Sequence, residues 1–237
     1  MSPSFDQPAR SETPPRPLAV FDLDGTLVDT APDLSASLDH CLAAVGMAPV
    51  PLELIRPHAG HGARVMIRKA YEWVDRPLGD DELGEQVVRF LAHYEAHICV
   101  RSRPFDGVVA AMDRLERDGF TLAVCTNKYE HLAVKLLGEL GLADRFATIC
   151  GADTFGGRKP DPMHLGGTIA RAGAAAATSV MIGDTMTDVA AALALDVPSI
   201  LIDFGYAPDA EARAKASRVI ETYSELKGAL LHQLMRR

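Results

Sequence analysis

Leu18-Ala19-Val20-Phe21-Asp22-Leu23-Asp24-Gly25-Thr26-Leu27-Val28-Asp29 is the stretch that decides the fold. Its first four residues are apolar without a break, as in a strand buried on both faces of a parallel sheet. Two carboxylates, Asp22 and Asp24, follow at the strand's carboxyl end, with a glycine turn directly behind them. Open α/β sheets carry their chemistry at that end. Acids this close are costly to ionise together unless a cation lies between them. The stretch therefore predicts a metal-dependent site near the amino terminus.

Three further segments extend the pattern. Phe120 to Cys125 is a second apolar run, ending in Thr126-Asn127-Lys128; Lys159-Pro160-Asp161-Pro162 comes next; Val180-Met181-Ile182 ends in Gly183-Asp184 and leads to Asp188. From Pro104 the chain alternates between helical periodicity (Val108–Arg117, Glu130–Leu140, Met163–Ala172, Thr185–Leu195) and short apolar runs (Phe120–Cys125, Phe146–Cys150, Val180–Ile182, Ser199–Ile202), and Tyr223–Leu234 reads as a terminal helix. Such βα repetition predicts a doubly wound, mostly parallel sheet with right-handed crossovers.

Between residues 32 and 103 no segment reads as a strand. Thr30 is placed to cap a helix that begins at Ala31-Pro32-Asp33, and Leu34, Leu38, Cys41, Leu42 and Val45 recur at helical spacing. More helices are expected around Leu52–Arg56, Ala63–Val74 and Asp80–Ile98. The expected organisation is a core of 17–31 and 104–237, interrupted by an all-helical insertion at 32–103, with hinges near Thr30–Asp33 and Arg101–Asp106. Residues 1–16, rich in Pro and Ser and lacking the apolar run of a secretory signal, read as a disordered tail.

A chain of 237 residues with 48% hydrophobic and 24% charged content can bury a full core. Its formal net charge of −8 argues against nucleic-acid or anionic-membrane partners, and no apolar stretch has membrane-spanning length. Cys41, Cys99, Cys125 and Cys150 are scattered and form no CxxC pair, as expected in a reducing, cytoplasmic setting. Monomer and homodimer both remain open.

The order DxDGT, strand-terminal Thr, Lys-Pro and GDxxxD resembles the haloacid-dehalogenase-type hydrolase superfamily, whose members are mostly phosphatases, and the resemblance runs from about Pro17 onward. It implies a Rossmann-like core with the helical insertion as a cap. It assigns Asp22 as the nucleophile that forms an aspartyl phosphate. It assigns Asp24 as the acid and base for leaving group and water, with its backbone carbonyl rather than its side chain on the metal. Mg²⁺ is the implied cofactor, since it prefers hard oxygen ligands and takes few protein carboxylates; Asp22, Asp24 and Asp184 are its expected protein ligands. Asp188, one helical turn on, is either a ligand through water or a supporting acid. Gly25, Thr126, Asn127 and Lys159 are the expected phosphate-binding residues, Lys159 as a positive charge bridging nucleophile and phosphate.

Specificity is expected in the insertion. Arg56-Pro57-His58-Ala59-Gly60-His61-Gly62-Ala63-Arg64 places two glycines around His61 just before a helix, where exposed N–H groups suit a small anion. Gly60, His61, Gly62 and Arg64 are the candidate specificity residues. This loop, Thr126-Asn127-Lys128 and Phe204-Gly205-Tyr206 resemble the corresponding segments of phosphoglycolate phosphatases, which makes a small phosphorylated acid, 2-phosphoglycolate, the expected substrate. A phosphatase for a sugar phosphate, a nucleotide or pyrophosphate, and a β-phosphoglucomutase-like phosphosugar mutase, are the alternatives.

Overall fold

A computed structural model describes residues 16–236 of the chain, so the expected tail, apart from Arg16, lies outside the described residues. The chain opens with strand β1 (Leu18–Phe21) and a two-residue strand β2 (Val28–Asp29). Four helices follow: α1 (Ala31–Ala43), α2 (Leu52–Ile55), α3 (Ala63–Trp73) and α4 (Asp80–Ala96). The second linker is strand β3 (Arg103–Pro104), and the βα alternation begins there: α5 (Val108–Arg117), β4 (Thr121–Cys125), α6 (Glu130–Glu139), β5 (Thr148–Cys150), α7 (Pro162–Arg171), β6 (Ser179–Gly183), α8 (Met186–Leu193), β7 (Ser199–Ile202), α9 (Ala210–Lys215), β8 (Arg218–Ile220) and α10 (Gly228–Met235).

Six strands form one parallel sheet in the order β5-β4-β1-β6-β7-β8. Strand β1 lies between β4 and β6, with Phe21 beside Val124 on one side and Ile182 on the other. The chain winds away from β1 in one direction through β4 and β5, then in the other through β6, β7 and β8. The crevice at that reversal is where such sheets bind their ligands.

The unbroken apolar character of β1 follows from its two neighbours in depth. Leu18 and Val20 pack with Leu165, Ile169 and Ala192 of α7 and α8, while Ala19 and Phe21 join the opposite cluster with Met112, Leu136 and Leu231 of α5, α6 and α10. Side chains alternate across a strand, so both layers demand apolar residues. All four β1 residues are fully buried, and each large one contributes on the order of 1.5–3 kcal/mol by leaving water.

Helices α1, α3 and α4 form a bundle around Leu38, Met66, Tyr71 and Phe90, continuous with the α5/α6 side of the sheet's core. The segment between β2 and β3 holds helices and no strand, and its linkers are not bare. Strands β2 and β3 pair antiparallel, with Val28 opposite Pro104 and Asp29 opposite Arg103. The Asp33 carboxylate then accepts hydrogen bonds from Arg101 N, Ser102 N and Ser102 Oγ at 2.7–3.0 Å.

Several local expectations are corrected. Thr30 occupies the cap position of α1, but its side chain makes no capping bond; Thr30 Oγ1 donates to Asp24 Oδ1 at 2.6 Å instead. Tyr223–Leu234 is two pieces: a short 3₁₀ turn at Tyr223–Glu225, extended residues Leu226 and Lys227, and then α10. Strand β5 starts at Thr148 rather than Phe146, because Ala143–Arg145 winds into a 3₁₀ turn. Helix α9 and strand β8 add an α/β step that the periodicity did not reveal.

Candidate active site

The strand-end residues converge. Asp22 follows β1, Thr126 follows β4, and Asp184 and Asp188 flank the junction of β6 and α8. The backbone of Asp22 extends the ladder by donating to Ile182 O at 2.8 Å. The carboxylates of Asp22, Asp184 and Asp188 are all buried and offer oxygens within 4.8 Å of one another.

Lys159 is the cation inside this cluster. Its Nζ lies 2.8 Å from Asp22 Oδ1 and 2.6 Å from Asp188 Oδ1, with 1% of the side chain exposed. Burial opposes its charge, yet Asp188 and Asp22 hold its pKa above the ordinary lysine value. Asp188 also closes the capping box of α8, its Oδ2 accepting from Thr185 N at 3.0 Å and Thr185 Oγ1 at 2.8 Å. Asp184 is held by Thr26 Oγ1 at 2.9 Å and by Tyr206 N at 2.7 Å.

Three carboxylates face one ammonium here, so the pocket carries uncompensated negative charge. Burial pushes Asp22 up to about 6, against the pull of Lys159 and helped by Asp188 and Asp24. Burial, then Asp22 and Asp188, push Asp184 well above the carboxylate range. A divalent cation would relieve both, and all-oxygen donors suit a hard ion. The donor set therefore fits Mg²⁺.

Asp24 stands apart from that cluster. Its Oδ1 accepts from Thr30 Oγ1, and its Oδ2 pairs with Lys128 Nζ at 3.0 Å. Its side chain thus points at protein donors, and its backbone carbonyl remains the group near the glycine loop: a Cβ built on Gly60 would stand 3.9 Å from Asp24 O.

Gly25 and Asn127, expected on the phosphate, are also engaged within the protein. Gly25 N donates to Val28 O at 3.1 Å and is occupied. Glycine is required there for another reason: φ is +83°, and a Cβ would collide with the Asp184 carboxylate. The Asn127 side-chain amide donates to Lys159 O at 2.9 Å and steadies the Lys159 segment, and Asn127 also lines the cavity beside Asp24. Thr126 N is likewise spent on Cys150 O, but Thr126 Oγ1 accepts from Lys128 N at 3.2 Å and keeps its own hydrogen.

A cavity of about 240 Å³ opens beside Asp24, between the sheet's strand ends and the helical bundle. Gly60, His61, Gly62 and Arg64 line it from the insertion, and Asn127 and Lys128 from the sheet side. Arg56–His61 is wound as a 3₁₀ turn rather than a loose loop, and Gly62, at φ +90°, turns the chain into α3. Leu34, Val87, Phe90 and Leu91 give the cavity an apolar wall.

Lys128, Tyr94 and Tyr206 were not assigned roles from sequence. Tyr94 on α4 carries no signal beyond that of a core aromatic, and Lys128 only its place after Thr126-Asn127. Tyr206 sits in the Phe204-Gly205-Tyr206 segment. Its N–H holds Asp184 while its hydroxyl accepts from Thr30 N and Ala31 N and donates to Asp29 Oδ1 at 2.8 Å. It joins the metal-site candidate to the start of the helical insertion.

The sequence signature of the haloacid dehalogenase-like hydrolases matches residues 19–202. A phosphoglycolate phosphatase of Agrobacterium fabrum is 45% identical over 222 residues, which cover 94% of this chain and 95% of that protein. One of Mesorhizobium japonicum is 45% identical over 221 residues, covering 93% and 97%. The crystal structure of a predicted phosphoglycolate phosphatase from Haemophilus somnus superposes with a TM-score of 0.81 at 26% identity, over 88% of this chain and 95% of that one. No described helix is long and apolar enough to cross a membrane. With the signature spanning the sheet from β1 to β7 and every strand-end acid it brings together, this chain belongs to the haloacid dehalogenase-like hydrolase family.

Proposed function

We propose that the protein is a Mg²⁺-dependent phosphatase that hydrolyses 2-phosphoglycolate through an aspartyl phosphate. The observation that carries the reaction type is the pairing of Asp22 with Lys159 inside a cluster of buried acids. Such a carboxylate is oriented by one fixed cation and stripped of water, as a nucleophile toward phosphorus must be. Asp22, the Asp24 carbonyl and Asp184 would hold the ion, which supplies charge neutralisation for the transferring phosphoryl group. Asp188 positions Lys159 through their 2.6 Å contact.

Asp22 attacks phosphorus, and the ester bond breaks as Asp24 delivers a proton to the departing alkoxide. Asp24 then takes a proton from water, which attacks phosphorus and releases inorganic phosphate, restoring Asp22. Lys159 and Thr126 Oγ1 bind the phosphoryl oxygens in both steps. The helical insertion acts as a cap over the cavity. Gly60, His61, Gly62 and Arg64 form its entrance, where exposed basic side chains favour an anionic substrate.

The substrate reading is supported by two 45% identical relatives bearing that name and by a cavity too small for a nucleotide to bury in whole. Four unpaired thiols support a reducing, cytoplasmic setting. The test is phosphate release from a panel of 2-phosphoglycolate, sugar phosphates, nucleotides and pyrophosphate, with and without Mg²⁺. Phosphoglycolate should give the highest kcat/KM, and release should require the metal. A sugar phosphate outrunning it removes the substrate assignment; release that ignores Mg²⁺ removes the mechanism.

A further inference from the structure

We propose that Lys128 Nζ and Tyr94 OH together form the receptor for the substrate's carboxylate, which makes them the residues that select a phosphorylated hydroxy acid over other esters. The proposal rests on the phosphoglycolate reading and names the groups that enforce it. Lys128 is a buried cation, with 5% of its side chain exposed, wedged between the two layers of the site. Its ammonium pairs with Asp24 Oδ2 at 3.0 Å and donates to Tyr94 OH at 3.1 Å, and it lies 4.5 Å from the centre of the Tyr94 ring.

An ammonium has three hydrogens to give. Asp24 and Tyr94 take two, and no acceptor among the described residues takes the third. Tyr94 is similarly half-used: its oxygen accepts from Lys128, and its own hydroxyl hydrogen meets no described acceptor. Burial pushes its pKa up to about 12, so the phenol stays a donor at neutral pH. Two unspent hydrogens on adjacent atoms, both lining the cavity beside Asp24, match the two oxygens of a carboxylate.

The reach is fixed by the reaction itself. To protonate the leaving oxygen, Asp24 must come within about 2.6–3.2 Å of it. In phosphoglycolate the carboxylate carbon is two bonds, about 2.4 Å, from that oxygen. Lys128 Nζ is 3.0 Å from Asp24 Oδ2, so a substrate placed for proton transfer has its carboxylate within the span that Lys128 can reach. His61 on the glycine loop and Arg64 in the first turn of α3 are exposed; they stand at the entrance, while Lys128 and Tyr94 stand at the reacting end. A neutral two-carbon ester would leave both hydrogens buried and unpaired, and sites built for a polar group reject analogues that lack it.

The experiment compares kcat/KM for 2-phosphoglycolate with that for ethyl phosphate, the same chain without the carboxylate, in wild type, K128Q and Y94F. Taking the ratio within one preparation removes any dependence on the fraction that folds. Wild type should prefer the acid by at least about 100-fold, K128Q should lower that ratio by about tenfold or more, and Y94F by about threefold or more. The losses should fall on KM for the acid, since the contact is made in the bound ground state. A smaller fall in K128Q overturns the receptor; where K128Q gives no folded protein, the Y94F ratio decides alone. Wild-type protein without a preference for the acid overturns both this receptor and the substrate reading, whereas a preference that survives in the variants overturns the receptor only.

Discussion

Asp22 shows how a single side chain is made reactive by its surroundings. Asp22 is 7% exposed, and its carboxylate accepts from Leu23 N at 2.7 Å and shares Lys159 with Asp188. D22N keeps the shape and removes the nucleophile. Phosphate release should fall by at least about 10³-fold, while far-ultraviolet circular dichroism stays that of wild type. Metal-free D22N should also melt no lower than wild type, because a buried charge has been removed from an overcrowded cluster. Retained turnover would take the nucleophile role from Asp22. This residue, Asp24, Thr126 and Asp184 were legible in the sequence because each lies within three residues of the end of an apolar run, so strand and chemistry are read together. Lys128 and Tyr94 were not. Their meeting depends on how α4 lies over β4, and nothing in a helical aromatic's spacing says which atom it will face.

Among the elements, the two linkers are the least legible part and the most tightly bound. Two-residue strands have no periodicity, so β2 and β3 left no trace beyond a change from strand-like to helical pattern. Their join is nonetheless specific. The Asp33 carboxylate gathers Arg101 N, Ser102 N and Ser102 Oγ, and both Asp33 and Ser102 are buried. D33A should leave these donors without partners and destabilise the protein by about 3 kcal/mol. Denaturant unfolding should show a lower midpoint with an unchanged slope. An unaltered midpoint would mean that the linker is held by the β2–β3 pairing alone. The sheet was read well for the opposite reason: β1, β4, β6 and β7 are buried on both faces, so each is a run of apolar residues with a polar stop. β8 begins with exposed Arg218 at the sheet's edge, which breaks such a run.

At the scale of the whole molecule, metal, protons and folding are linked through the same acids. Burial raises the pKa of Asp22 to about 6 and that of Asp184 well above its ordinary value. The folded metal-free protein therefore holds protons that the unfolded chain releases. Its stability from these groups is complete below the unfolded carboxylate range, near pH 4; the Asp22 share is lost as pH rises through 6, and the Asp184 share is lost as pH rises through its own raised pKa. A cation bound by the ionised carboxylates has the reverse dependence, because protons compete with it for the same oxygens. Mg²⁺ at about 100 times its Kd should add roughly 2.7 kcal/mol, or about 5–10 °C in Tm for a chain of this size. That increment should be full at pH 7.5–8 and shrink toward zero by pH 5. Paired melting scans with Mg²⁺ or EDTA across this range measure it without any turnover, with D184N as the control that should abolish it. An increment of equal size at pH 5 and pH 8, or one that persists in D184N, would place the ion somewhere other than the ends of β1 and β6, away from the one group of three buried acids among the described residues close enough to hold it.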